Sequence, residues 1–231
     1  MMGLHHRVLA VVGACGFALG SVQAQVAPAR GEIAQYQGLF AAALANQADE
    51  VKALVARGAP VDARDGYRRT PLHVAAYFGK HDAMRALVAA GANPHALEND
   101  RYDIITIAAV ANDLPTMKLA LELGGRATNI TSRYDGTALI AAAHLGHAEI
   151  VNLLIKAGAP PDHVNNLHWT ALIESIVLGN GGPQHTQTLK YLVDAGANQR
   201  LTDRSGAPPL ALAKSRAYAN MVTILEAAGA R

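Results

Sequence analysis

Three histidines, His163, His168 and His185, cluster along the sequence around Glu174, and imidazole nitrogens with a carboxylate are ligands that zinc takes. Their spacing matches no ligand motif: the set contains no HExxH, no His pair at helical i and i+4, and no Cys. No metal and no cofactor is therefore expected. Glu174 raises a second possibility, because Trp169 precedes it and Ser175 follows it. A carboxylate there is either solvated in a groove or paired when buried, so these residues make either a polar notch or a structural hydrogen bond. Gly179 to His185 reads GNGGPQH, a loop whose successive amides could cradle an anion. No Lys completes a phosphate loop and no strand precedes it, so Asn180 to Gln184 reads as a surface insertion. Ser132, Ser175, Ser205 and Ser215 stand in no context that activates a nucleophile, and no GxSxG or paired-carboxylate frame appears. The chain is expected not to be an enzyme.

Charge and cysteine usage narrow the field further. Arg7 precedes an apolar run from Val8 to Leu19, and Ser21 to Ala24 offers the small residues a signal peptidase reads. Residues 1–24 are expected to be a cleaved export signal; a competing lipoprotein reading would place a lipid on Cys15. The apolar run is shorter than the roughly 20 residues of a membrane span, so no transmembrane segment is expected in the mature chain. Cys15 is the single cysteine, which leaves no thiol after cleavage and excludes disulfides and thiolate chemistry. Beyond Arg7 the chain carries 19 basic and 18 acidic side chains, scattered without a basic run. Nucleic acid is not indicated as a partner.

The elements that must position these residues repeat. Gln37, Thr70, Asp103, Thr137, Thr170 and Pro208 occupy equivalent places, spaced by 33, 33, 34, 33 and 38 residues. The clearest copy runs Thr70, Pro71, Leu72, His73, Val74, Ala75, Ala76, and each copy ends in Gly, as at Gly58, Gly91, Gly124, Gly158, Gly196 and Gly229. Thr70, Thr137 and Thr170 stand where a hydroxyl can cap a helix, and the terminal Gly supplies a left-handed stop. Small pairs such as Ala75 with Ala76 and Ala142 with Ala143 let first helices approach closely. Second helices carry apolar residues at helical spacing, as in Ile150, Val151, Leu154 and Ile155. Helices are predicted over 38–45, 48–57, 71–78, 81–90, 104–111, 114–123, 138–145, 148–157, 171–178, 186–195, 209–216 and 219–228. Residues 25–32 read as a flexible leader.

A TPLHxAA segment with a 33-residue period resembles the ankyrin repeat family over residues 33–231. The resemblance implies an all-α solenoid of about six helix-turn-helix repeats with β-turn fingers, divided near 33–62, 63–95, 96–128, 129–162, 163–200 and 201–231. Asn165 to Leu172, reading NNLHWTAL ahead of the glycine-rich insertion, resembles bacterial single-domain members in particular.

The family holds partners on its fingertips and exposed first helices. Carried over to this chain, that surface includes Tyr67, Arg69, Tyr77 and Phe78 in the second repeat, and Asp100 and Tyr102 in the third. It continues through Arg133, Tyr134 and His144 in the fourth, and Asn166 and Trp169 in the fifth, beside Glu174. Aromatics make up 5% of the chain, yet several fall on these places; they either concentrate binding energy or pack between fingers. The expected function is a monomeric, non-catalytic scaffold of the bacterial periplasm with a protein partner. The alternative is a small-ligand or metal-binding accessory protein built from Trp169, Glu174, His168 and the 180–184 loop.

Overall fold

The computed structural model describes residues 27–230, so the expected signal and Cys15 lie outside the described residues. Among the described residues thirteen helices follow one another, all but the first as six pairs. After α1 (Arg30–Ile33) come α2 (Gly38–Leu44) with α3 (Ala48–Ala56), α4 (Pro71–Tyr77) with α5 (His81–Ala89), and α6 (Ile104–Val110) with α7 (Leu114–Glu122). Then come α8 (Ala138–Leu145) with α9 (Ala148–Lys156), α10 (Ala171–Val177) with α11 (Pro183–Asp194), and α12 (Pro209–Ser215) with α13 (Ala219–Ala227). The first helix of each pair packs on the first helix of the next, α2 on α4 through to α10 on α12. The small pairs Ala42/Ala43, Ala75/Ala76, Ala108/Ala109 and Ala142/Ala143 are buried at these contacts within one continuous apolar core. No single pair encloses such a core, so each depends on its neighbours.

Local chemistry sets the helix ends. Thr70, Thr137 and Thr170 cap their helices through bonds accepted from the N–H groups of His73, Ile140 and Ile173, and Asp103 does the same for Thr106. Gly58, Gly91, Gly124, Gly158, Gly196 and Gly229 all adopt φ between 83° and 94°, as a left-handed stop requires. His73, 1% exposed, ties repeats together: its Nδ1 accepts from the Thr70 amide at 3.0 Å, and its Nε2–H donates to the Ala96 carbonyl at 2.9 Å. Burial pushes this imidazole down to about 4. His147, expected at the helix turn, reaches the Ala109 carbonyl at 2.9 Å.

Two expectations about segments need correction. Part of the leader is helical: Glu32 in α1 accepts the Arg69 guanidinium at 2.6 Å, so an ion pair holds this segment against the second finger. The fifth-repeat helix begins at Pro183, three residues before the expected start, because proline suits a first helical turn. The insertion is therefore loop only up to Gly182, and it is packed: the Tyr218 hydroxyl donates to the Gly179 carbonyl at 2.9 Å. One finger also pairs as a short antiparallel hairpin, β1 (Ile130–Thr131) with β2 (Gly136–Thr137), placing Ile130 opposite Thr137.

Candidate functional site

The fingers are built by one recurring device. Ahead of the first helices of the second to sixth repeats, a polar side chain five residues before the cap accepts the N–H groups two and four positions on. Asp65 takes Tyr67 and Arg69, Glu98 takes Asp100 and Tyr102, and Ser132 takes Tyr134 and Gly136. Asn165 takes Leu167 and Trp169, and Asp203 takes Ser205 and Ala207. Between these acceptor and donor positions the backbone turns through positive φ, at Arg68, Arg101, Asp135, His168 and Gly206. Successive fingers are then stitched together, with the Asn99 amide donating to Tyr67, Ser132 to Arg101, and Asn166 to Tyr134.

That framework directs five of the expected contact residues to one place. Tyr102, Tyr134, His144, Trp169 and Glu174 line a hollow of about 300 Å³ between the third, fourth and fifth fingers and helices α8 and α10. Apolar surface comes from Ile140, Ala141, Leu167 and Leu178. The floor is polar. Glu174, 5% exposed, accepts the Asn165 side-chain amide at 2.8 Å on Oε1, and His144 Nδ1 lies 3.3 Å from Oε2. Glu174 is thus both paired and set at the groove. Ser175 is not part of the notch: its hydroxyl turns back to the Leu172 carbonyl at 2.8 Å.

Arg69 must be corrected as a contact residue. It is 1% exposed, and its guanidinium is held by Glu32 at 2.6 Å and Asp65 at 2.7 Å, with the Tyr67 ring centroid 4.7 Å away. Burial alone would lower its pKa, but the carboxylates on Asp65 and Glu32 outweigh that and raise it. Burial likewise opposes ionisation of Asp65, yet hydrogen bonds from Tyr36 and Arg69 bring it below the usual carboxylate range. Arg69 is a structural node inside the second finger.

The remaining expected residues do not line the hollow. Tyr67 stands 46% exposed at its fingertip, while Tyr77 is half-buried against the core and burial pushes its hydroxyl up. Phe78 is partly buried at the end of α4. Asp100 and Arg133 form an ion pair between adjacent fingers, and Asn166 donates its side-chain amide to the Arg133 carbonyl. The alternative ligand site is not assembled. His168 is exposed at its fingertip near Arg204, and the 180–182 loop packs toward Tyr218 instead of the hollow. His163 bonds to the Asp135 carbonyl and His185 to the His144 carbonyl, and among the described residues no group of three or more potential ligands could hold a metal.

Asn165 is a site residue that the expected surface does not include: it both shapes the finger and holds Glu174. Its signal was available: Asp65 and Asp203 occupy the same place in their repeats. What the sequence did not disclose is that Glu174, nine residues on, would turn back beneath it.

Comparison with known proteins agrees with the repeated architecture. The family described as ankyrin repeats (3 copies) matches residues 19–98 and 105–203. The ankyrin repeat protein YahD of Escherichia coli (strain K12) is 30% identical over 183 residues, covering 79% of this chain and 90% of that protein. An ankyrin repeat domain from Acinetobacter baumannii AYE is 38% identical, with a TM-score of 0.78 over 84% of this chain and 98% of that one. The ankyrin repeat domain of Bcl-3, a member of the IkappaB protein family, is 28% identical, with a TM-score of 0.76 over 85% of this chain and 88% of that one. No helix of the described residues is long and apolar enough to cross a membrane.

Proposed function

This chain belongs to the ankyrin repeat family, whose repeats are generally protein–protein interaction modules, and we propose that it is a non-catalytic scaffold seating a protein partner on the hollow of its third to fifth repeats. The observation that carries this reading is the convergence of Tyr102, Tyr134, His144, Trp169 and Glu174 on one hollow. Aromatic rings beside a polar floor give an anchor both apolar area to bury and a group to orient it. The stitched fingers favour association because little conformational freedom is lost on binding. A hollow of about 300 Å³ stands at the small end of ligand pockets, which suits one anchoring side chain better than a whole metabolite.

Export to the bacterial periplasm completes the proposal, supported by Arg7, the apolar run from Val8 and the small residues before Gln25. We propose that the scaffold works there as a monomer. Affinity capture from a periplasmic extract, repeated with Tyr134→Ala and Trp169→Ala, tests the contact surface. The changed proteins are expected to lose a specific partner while keeping their helical circular dichroism; an unchanged set of captured proteins excludes the hollow. Mass spectrometry of the chain recovered from cells is expected to find Gln25 at its start, and an intact Met1 chain confined to the cytosol rejects export.

A further inference from the structure

We propose that the hollow recognises the guanidinium of an arginine side chain on the partner, an inference that rests on the scaffold reading above. Its polar floor carries a carboxylate, and none of the side chains lining it is Lys or Arg. Asn165 donates to Glu174 Oε1 without bringing charge. His144 Nδ1 lies 3.3 Å from Oε2, at the side of the carboxylate away from Asn165. No Lys or Arg of the lining offsets the carboxylate, and each oxygen retains acceptor capacity after these contacts. At 5% exposure that charge acts through a poorly screening surround, so an entering cation is attracted and an entering anion is repelled.

The walls favour the same ligand. Tyr102, Tyr134 and Trp169 bring ring systems whose faces attract cations, Trp most strongly. A guanidinium is flat, weakly hydrated and forked, so it stacks on rings and meets carboxylate oxygens better than a compact ammonium does. Ile140, Ala141, Leu167 and Leu178 offer apolar surface for the methylene stem. The chain's own nearby arginines are engaged elsewhere, Arg133 with Asp100 and Arg101 with Asp135.

Trp169 is the only tryptophan in the chain and lines the hollow, so its fluorescence reports occupancy. The full mature chain is titrated with a capped Gly-Ala-Arg-Ala-Gly peptide, its neutral citrulline counterpart, and free agmatine. The arginine peptide is expected to give a saturable change, with at least tenfold weaker affinity for citrulline. Glu174→Gln is expected to lose at least tenfold as well, at an unchanged far-ultraviolet spectrum. No saturable change with the arginine peptide at millimolar concentration, or equal affinity for citrulline, overturns the assignment, and the citrulline arm needs no variant to fold. Agmatine binding as tightly as the peptide overturns a partner side chain in favour of a free organic cation. If the peptide fails while partner capture still depends on Tyr134 and Trp169, the arginine assignment falls and the scaffold reading stands.

Discussion

Glu32 and Arg69 are 37 positions apart in the sequence, and the Arg69 guanidinium donates to the Glu32 carboxylate at 2.6 Å. The pair ties a four-residue helix at the start of the described chain to the second finger. Asp65 completes the arrangement from within the finger, holding the Arg69 side chain at 2.7 Å while the Tyr36 hydroxyl donates to it at 2.8 Å. A side chain that reads as a fingertip contact is therefore enclosed by a segment that reads as a flexible lead-in.

Removing Arg69 leaves Asp65, whose side chain is 10% exposed, without its cation. Arg69→Ala is expected to lower unfolding free energy by about 3 kcal/mol, as for a broken buried pair. Glu32→Gln, which leaves Asp65 in place, is expected to lose about 1 kcal/mol. Urea denaturation of both variants checks the order, and equal losses would mean that the contact with Asp65 adds nothing beyond the pair with Glu32.

His73 gives stability a pH dependence of known sign. Its pKa in the fold is pushed down to about 4 by burial, against about 6.5 in an unfolded chain. Between those values the unfolded chain binds a proton that the folded chain does not, so stability is full above about pH 6.5 and falls as the pH drops toward 4. His147 is also lowered, chiefly by burial, and acts in the same direction. Unfolding free energy is expected to be about 2 kcal/mol lower at pH 5 than at pH 7 through His73 alone. Urea titrations at the two values check this, and His73→Gln should flatten the difference.

Gly125 stands where the other repeats carry Ala59, Ala92, Ala159, Ala197 and Ala230. A Cβ there would come within 2.7 Å of the Ala120 carbonyl oxygen and 2.8 Å of the Ile105 side chain. Matching the repeat pattern with Gly125→Ala is accordingly expected to destabilise by about 2 kcal/mol, the scale of overpacking in a closed core. A melting temperature at or above that of the parent protein would show that the third repeat can relax around the added methyl.

Asn165→Asp looks harmless beside Asp65 and Asp203, which shape their own fingers. In the fifth finger the new carboxylate would face Glu174, whose Oε1 now accepts from Asn165 at 2.8 Å. The loss is expected to be about 2 kcal/mol at pH 7, from like charges brought close under partial burial. Because protonating either carboxylate relieves the repulsion, the gap to the parent protein should narrow as pH falls toward 4. A pH-independent gap would mean that lost hydrogen bonding, not charge, sets the cost.

The sequence by itself determined the parts that depend on neighbours along the chain. Helix caps at Thr70, Asp103, Thr137 and Thr170, glycine stops with positive φ, and the predicted helix spans all follow from interactions across three or four residues. Pro183, a residue suited to the first helical turn, starts its helix three residues before the apolar spacing predicts. Tertiary structure decided which of the finger aromatics share a site. Tyr67, Tyr102 and Tyr134 recur on successive fingers, yet Tyr102 and Tyr134 line the hollow with Trp169, while Tyr67 lies beside Arg69 at the other end of the row. Periodicity places a residue on a face, but its neighbours come from other repeats and from ion pairs such as Glu32 with Arg69, which no local spacing encodes. The same holds for Glu174: its place on α10 was legible, but its enclosure comes from Asn165 of the fifth finger and from His144 of α8, which packs against α10.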